Sequence, residues 1–262
     1  MHITKEQYDT FFDDIEFRDV AVPSTGEVFQ MPLVGRKAIQ MVAFHTASRA
    51  KVLDLLPPAM VPVALGDEQT VVGVIAIEYL ERNIENYSEV VVVIPVHIGD
   101  GAAAPTVEDL LSEGFGGCTL LVRHIAVTTR TAEIVGNELL GYAKFIADID
   151  FVDMPDERIC VLSEAGKEIL RFAVGVGEEY GDYERSTLSV VTFKNDLAYK
   201  LTYASQTRPA VNVPDRNVLI LGDHPLGRSL AGLEVSAKPL ATSYSPDFQL
   251  ISDDRNLEVS KP

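Results

Sequence analysis

The chain is a succession of short apolar, β-branched runs separated by polar turns, a pattern that predicts strands far more often than helices. Residues 71–79 are apolar on both faces, which predicts a central strand covered on either side. Residues 90–98 predict another. Pro95 within it cannot donate to a ladder and points to a sheet edge or a bulge. Strands are also predicted over 37–44, 118–128, 145–152, 158–163, 169–176, 188–194, 197–204, 218–221 and 248–251. Asn195-Asp196 is read as a two-residue hairpin turn between two of these, and residues 112–117 as a loop. Helical spacing is confined to three stretches. Residues 5–19 carry Tyr8, Phe11, Phe12 and Ile15 among acids. Residues 48–56 follow a possible Thr46 N-cap and end at Pro57-Pro58, and residues 129–141 form the third.

Roughly ten strands with few short helices argue for an α+β, mostly antiparallel fold, closed into a cone-like β-barrel. The expected organisation is a single domain over residues 1–262, with residues 1–30 as an N-terminal helical extension. Gly175-Val176-Gly177 lacks the rest of a dinucleotide fingerprint and reads as a strand bend.

Composition narrows the function. Twenty-two basic against 39 acidic residues give a net charge of −17, which repels phosphate backbones and argues against nucleic acid as a partner. Apolar runs are too short to span a bilayer, and the first residues carry no basic-then-apolar leader pattern. Cys118 and Cys160 form no disulfide framework, so the expected setting is a reducing cytoplasm. His97 and His224 have no ligand-like spacing to Cys or carboxylates, and no metal is expected. Nor does the sequence call for a cofactor.

Lys144 is the anomaly. It lies in Leu139-Leu140-Gly141-Tyr142-Ala143-Lys144-Phe145-Ile146, whereas the other lysines have polar residues or a proline close by. A lysine kept dry loses its proton more readily, and a free amine can attack a ketone to make a Schiff base. The competing reading is a snorkelling lysine that buries its stem and keeps its charge in water.

Residues 136–144 resemble the active-site stretch of acetoacetate decarboxylases, in which a Gly-Arg-Glu leads to an aromatic, a proline and two lysines. Tyr87-Ser88-Glu89, followed by Ile94-Pro95-Val96, is similar to that family's Tyr-x-Glu segment ending in Ile-Pro-Val. Arg36, a strand and Thr46 resemble its early arginine pattern. Asp223-His224-Pro225-Leu226 with Pro246-Asp247-Phe248 looks like the C-terminal strands of the wider superfamily. The resemblance implies Lys144 as the Schiff-base nucleophile, Glu89 as proton shuttle and Arg36 as the group that holds a substrate carboxylate. Tyr142 and Phe145 would line the substrate pocket. It further implies a small oxo acid as substrate and a homo-oligomer. The departures are Phe145 for the second lysine, Ala143 for the proline and Asn137 for the arginine. They leave open a lyase that decarboxylates acetoacetate or a related 3-oxo acid, an aldolase-dehydratase acting on pyruvate-like acids, and a barrel that binds a ligand without turnover.

Overall fold

The computed structural model describes residues 1–99, 118–211 and 218–261, and the loop expected at 112–117 lies outside them. Strands dominate. Seven of them pair in a ring, in the order Tyr183–Lys194, Leu197–Thr207, Pro239–Ser252, Leu33–Ser48, Gln69–Arg82, Ser88–Ile98 and Thr119–Val127. Six contacts around the ring are antiparallel; the seventh, Ser189–Val191 beside Thr119–Leu121, is parallel and closes it. A four-stranded sheet, Asp148–Asp153, Glu157–Glu164, Lys167–Gly175 and Val218–Leu221, covers part of the outside.

The two-faced apolar strands explain this layering. In Gln69–Arg82, Val71, Ile75, Ile77 and Tyr79 face the core inside the ring. Val72, Val74 and Ala76 face a second core shared with Cys160, Leu170 and Phe172 of the outer sheet. Ser88–Ile98 divides likewise, with Val91 and Val93 inward and Val90, Val92 and Ile94 outward. Period-two side-chain alternation thus serves two hydrophobic layers at once.

Pro95 is in an interior strand, between the last residue paired with Gln69–Arg82 (Val93) and the first paired with Met60–Pro62 (Val96). Its missing N–H therefore falls where one neighbour hands over to another, close to a register shift at Val92/Val93. The Asn195-Asp196 turn is as expected, with φ of 52° and 60° at its two residues.

Other expectations change. The N-terminal helix is only Lys5–Asp9, with a Thr4–Gln7 capping box. Phe11 and Phe12 leave it to meet different cations, Arg185 and Arg36. The segment 1–30 is consequently less a helical extension than a strap. Its Arg18–Ala21/Val28–Met31 hairpin sends Val22 and Met31, both fully buried, into the inner core. Ser48, not Thr46, precedes helix Arg49–Leu53, because Thr46 stays in the strand, its N–H bonded to Ser236 Oγ at 3.1 Å. The stretch 145–152 is two strands, Lys144–Ile146 and Asp148–Asp153, split at Ala147 where the chain leaves the ring for the outer sheet. Asp223–Leu226 opens a helix, Pro225–Gly232, whose first turn is capped by the His224 ring.

Candidate active site

Lys144 begins its short strand directly after helix Arg130–Leu139 and a tight turn at Gly141 (φ 73°). Glycine is required in that turn: besides the left-handed φ, an added Cβ would lie 2.4 Å from the Tyr199 ring. Asn137, on the helix, then clamps the Lys144 backbone. Its Oδ1 accepts from the Lys144 N–H at 2.6 Å and its Nδ2 donates to the Lys144 carbonyl at 3.0 Å. The stem of Lys144 runs over Gly136, where a Cβ would come within 2.5 Å of Cε and 2.6 Å of Cδ. Helix, clamp and bare glycine together aim the amine into the ring.

The amine meets a cavity of about 60 Å³. At roughly 10–15 Å³ per water this holds a handful of water-sized groups, the scale of a short organic acid. Its walls include Ile75, Ile77, Val91, Val93, Leu120, Val122, Ile125, Leu140, Tyr79, Tyr142 and Tyr203. Burial pushes the phenols of Tyr79, Tyr142 and Tyr203 upward, so they remain neutral.

Inside, Lys144 Nζ donates to Glu89 Oε2 at 2.6 Å and lies 3.4 Å from the Tyr87 hydroxyl. The two side chains are 5% and 9% exposed, which rules out a snorkelling lysine. The dryness expected from sequence is present, yet its electrostatic result is reversed. Burial alone would lower the lysine pKa, and Arg82 acts in the same direction. The Glu89 carboxylate, with help from Tyr87, outweighs both and raises it above the ordinary value. At rest Lys144 is therefore an ammonium ion held against Glu89.

Two expected site residues are elsewhere. Arg36 does not line the cavity. The ladder shifts register at Gly35–Ala38, where Gly35 pairs with Arg82 and Lys37 with Glu81, skipping Arg36, whose guanidinium stacks 4.7 Å from the Phe12 ring centre. Phe145, next to Lys144 on one strand, points the opposite way and packs outside the ring with Val90, His124 and Leu226. Tyr142 is on the cavity wall as expected. His224 Nε2 lies 3.0 Å from Glu164, and the described residues hold no group of three or more His, Cys, Asp or Glu able to bind a metal.

Arg82 is the cavity cation that sequence reasoning missed. It donates to the Tyr87 hydroxyl at 2.8 Å and lies over the Tyr79 ring at 4.0 Å. Its only sequence signal was its place at the end of a long apolar strand.

The sequence profile of the acetoacetate decarboxylase (ADC) family matches residues 21–212. The chain belongs to the acetoacetate decarboxylase family. Solved structures agree on the fold. An acetoacetate decarboxylase from Legionella pneumophila matches at 15% identity and TM-score 0.62, over 87% of each chain. Another acetoacetate decarboxylase matches at 14% identity and TM-score 0.63, over 92% of this chain and 95% of that one. The enduracididine biosynthesis enzyme MppR, complexed with pyruvate, matches at 11% and 0.57, over 94% and 99%. No curated protein sequence matches. One neighbour is named a decarboxylase and another an enzyme complexed with pyruvate, so membership in the acetoacetate decarboxylase family supports an enzyme without fixing its substrate.

One consequence for this family member follows from Gly136. Gly136→Ala should displace the Lys144 stem, since the new methyl would overlap Cδ and Cε. A misplacement of about 1 Å costs roughly 10²-fold in rate. The expected outcome is a folded protein, with an unchanged circular-dichroism spectrum, in which any reaction that uses the Lys144 amine slows by about that factor.

Proposed function

We propose that this protein is a Schiff-base-forming carbon–carbon lyase acting on a short oxo acid through Lys144, with decarboxylation of acetoacetate or a related 3-oxo acid as the first reading. The observation that carries it is the dry Lys144–Glu89 pair at 2.6 Å, facing an apolar cavity sized for a small acid.

The resting ammonium passes its proton to Glu89 Oε2, leaving a neutral amine and a carboxylic acid. The amine attacks the substrate ketone, and its second proton moves to the former carbonyl oxygen. Glu89 returns its proton to that hydroxyl, which leaves as water, and a protonated iminium forms beside the regenerated carboxylate. The bond to a carboxylate β to the iminium nitrogen-bearing carbon then breaks. Its electron pair flows into the iminium, giving carbon dioxide and an enamine. Protonation at carbon and hydrolysis release the ketone and restore the amine. Apolar walls favour this step because charge localised on the carboxylate is dispersed.

A second reading uses the same iminium for aldol condensation and dehydration of a pyruvate-like acid. It is supported by Phe145 and Asn137 standing where the decarboxylase pattern has a lysine and an arginine. Two assays on purified protein separate the readings: carbon dioxide release from acetoacetate, and aldehyde-dependent consumption of pyruvate. The first reading predicts the former signal, the second predicts the latter. Silence in both, with a panel of short oxo acids, would overturn the lyase proposal.

A further inference from the structure

The charges around the cavity do not balance. Among the described residues its ionic lining is Arg82, Glu89 and Lys144. Glu89 is committed to Lys144, so Arg82 stands as an unmatched cation among apolar walls. Its guanidinium donates to the Tyr87 hydroxyl, its buried Nε–H has no partner, and the described residues offer it no ion pair. A guanidinium held over the Tyr79 ring at 4.0 Å and the Tyr87 ring at 4.9 Å is positioned before any ligand arrives. Such a group suits a monoanion, in a molecule whose overall charge is −17.

Its distance from the amine accommodates a 2-oxo acid. The Tyr87 hydroxyl is 2.8 Å from the guanidinium and 3.4 Å from Lys144 Nζ, so those two lengths together bound the gap. In an imine of a 2-oxo acid, two covalent bonds put the carboxylate carbon about 2.5 Å from nitrogen. One further C–O bond and a charge-assisted hydrogen bond of about 2.8 Å then reach an arginine. A carboxylate so held is stabilised in its localised, ground-state form, which opposes its loss as carbon dioxide.

We propose that Arg82, steadied by Tyr79 and Tyr87, anchors a carboxylate that the substrate keeps, so that the site takes 2-oxo acids with the ketone at Lys144 and C1 on Arg82. Within the decarboxylase reading this selects a related 3-oxo acid that carries a second carboxylate next to the ketone, rather than acetoacetate, whose single carboxylate is the one lost. The proposal rests on the Schiff-base reading of Lys144, and its test keeps the two apart.

Borohydride trapping is run with pyruvate and with acetone, which lacks the carboxylate. The ratio of pyruvate to acetone adduct should be at least tenfold in the native protein, given what a hydrogen bond to a charged group contributes. It should fall toward one in Arg82→Met and be intermediate in Arg82→Lys, which keeps the charge but loses the fork. A native ratio near one, or a ratio that Arg82→Met leaves unmoved, overturns the proposal. If neither ketone is trapped, the Schiff-base reading fails and calorimetry decides Arg82 alone. With Lys144→Gln as background, adding Arg82→Met should weaken pyruvate binding at least tenfold; equal affinity overturns the anchor.

Discussion

Lys144→Arg is expected to fold and to lose turnover by on the order of 10⁴-fold or more, the scale of removing a covalent nucleophile. Arginine is the informative replacement because it keeps a cation opposite Glu89. Lys144→Met would leave the buried carboxylate unpaired, and breaking a buried pair costs about 3–5 kcal/mol, so lost activity could be mistaken for lost fold. A guanidinium does not shed its proton near neutrality and cannot attack a ketone. Thermal melting and steady-state kinetics on the same preparation check both halves. A folded Lys144→Arg protein with native turnover would remove the lysine from the chemistry.

Glu89→Gln should produce the second large effect, and its sign is distinctive. The carboxylate is what outweighs burial and Arg82 to raise the Lys144 pKa. Without it, burial and Arg82 both push downward, so the amine should lose its proton at lower pH than in the native protein. The pH midpoint of imine trapping should therefore move to lower pH. Turnover should nonetheless fall by roughly 10²- to 10⁴-fold, because the proposed proton carrier is gone. Stability follows the same linkage. A lysine whose folded value is raised contributes fully below its unfolded value of 10.5 and loses that contribution only as pH climbs through the folded one. The native pair is thus intact at neutral pH, and Glu89→Gln should melt lower there. A trapping profile that stays in place, or moves upward, would separate Glu89 from the lysine's electrostatics.

Much of this was legible in the chain because one-dimensional patterns report local environments. Apolar residues on both faces over 71–79 encoded a strand between two cores, and Asn195-Asp196 encoded a turn with both residues at positive φ. Lys144 stood out because a lysine among Leu, Tyr and Phe has few reasons to be there. What failed was what depends on distant partners. The lysine's apolar neighbours predicted a lowered pKa, but the opposing carboxylate comes from 55 residues upstream, across the ring. Arg36 was misplaced because a bulge skips it, and the same register shift sets Arg82 opposite Gly35. Phe145 was misassigned by adjacency, although neighbours on a strand face opposite ways. The parallel contact that closes the ring joins segments about seventy residues apart, beyond the reach of a local pattern.

The central claim is that the Lys144 amine bonds covalently to an oxo acid. Its most direct test is peptide mapping by mass spectrometry after the native protein is incubated with pyruvate or acetoacetate and reduced with borohydride. The account predicts a stable mass increase on the peptide containing Lys144, absent from Lys144→Arg. An adduct confined to other lysines, or no adduct with any short oxo acid, would contradict it.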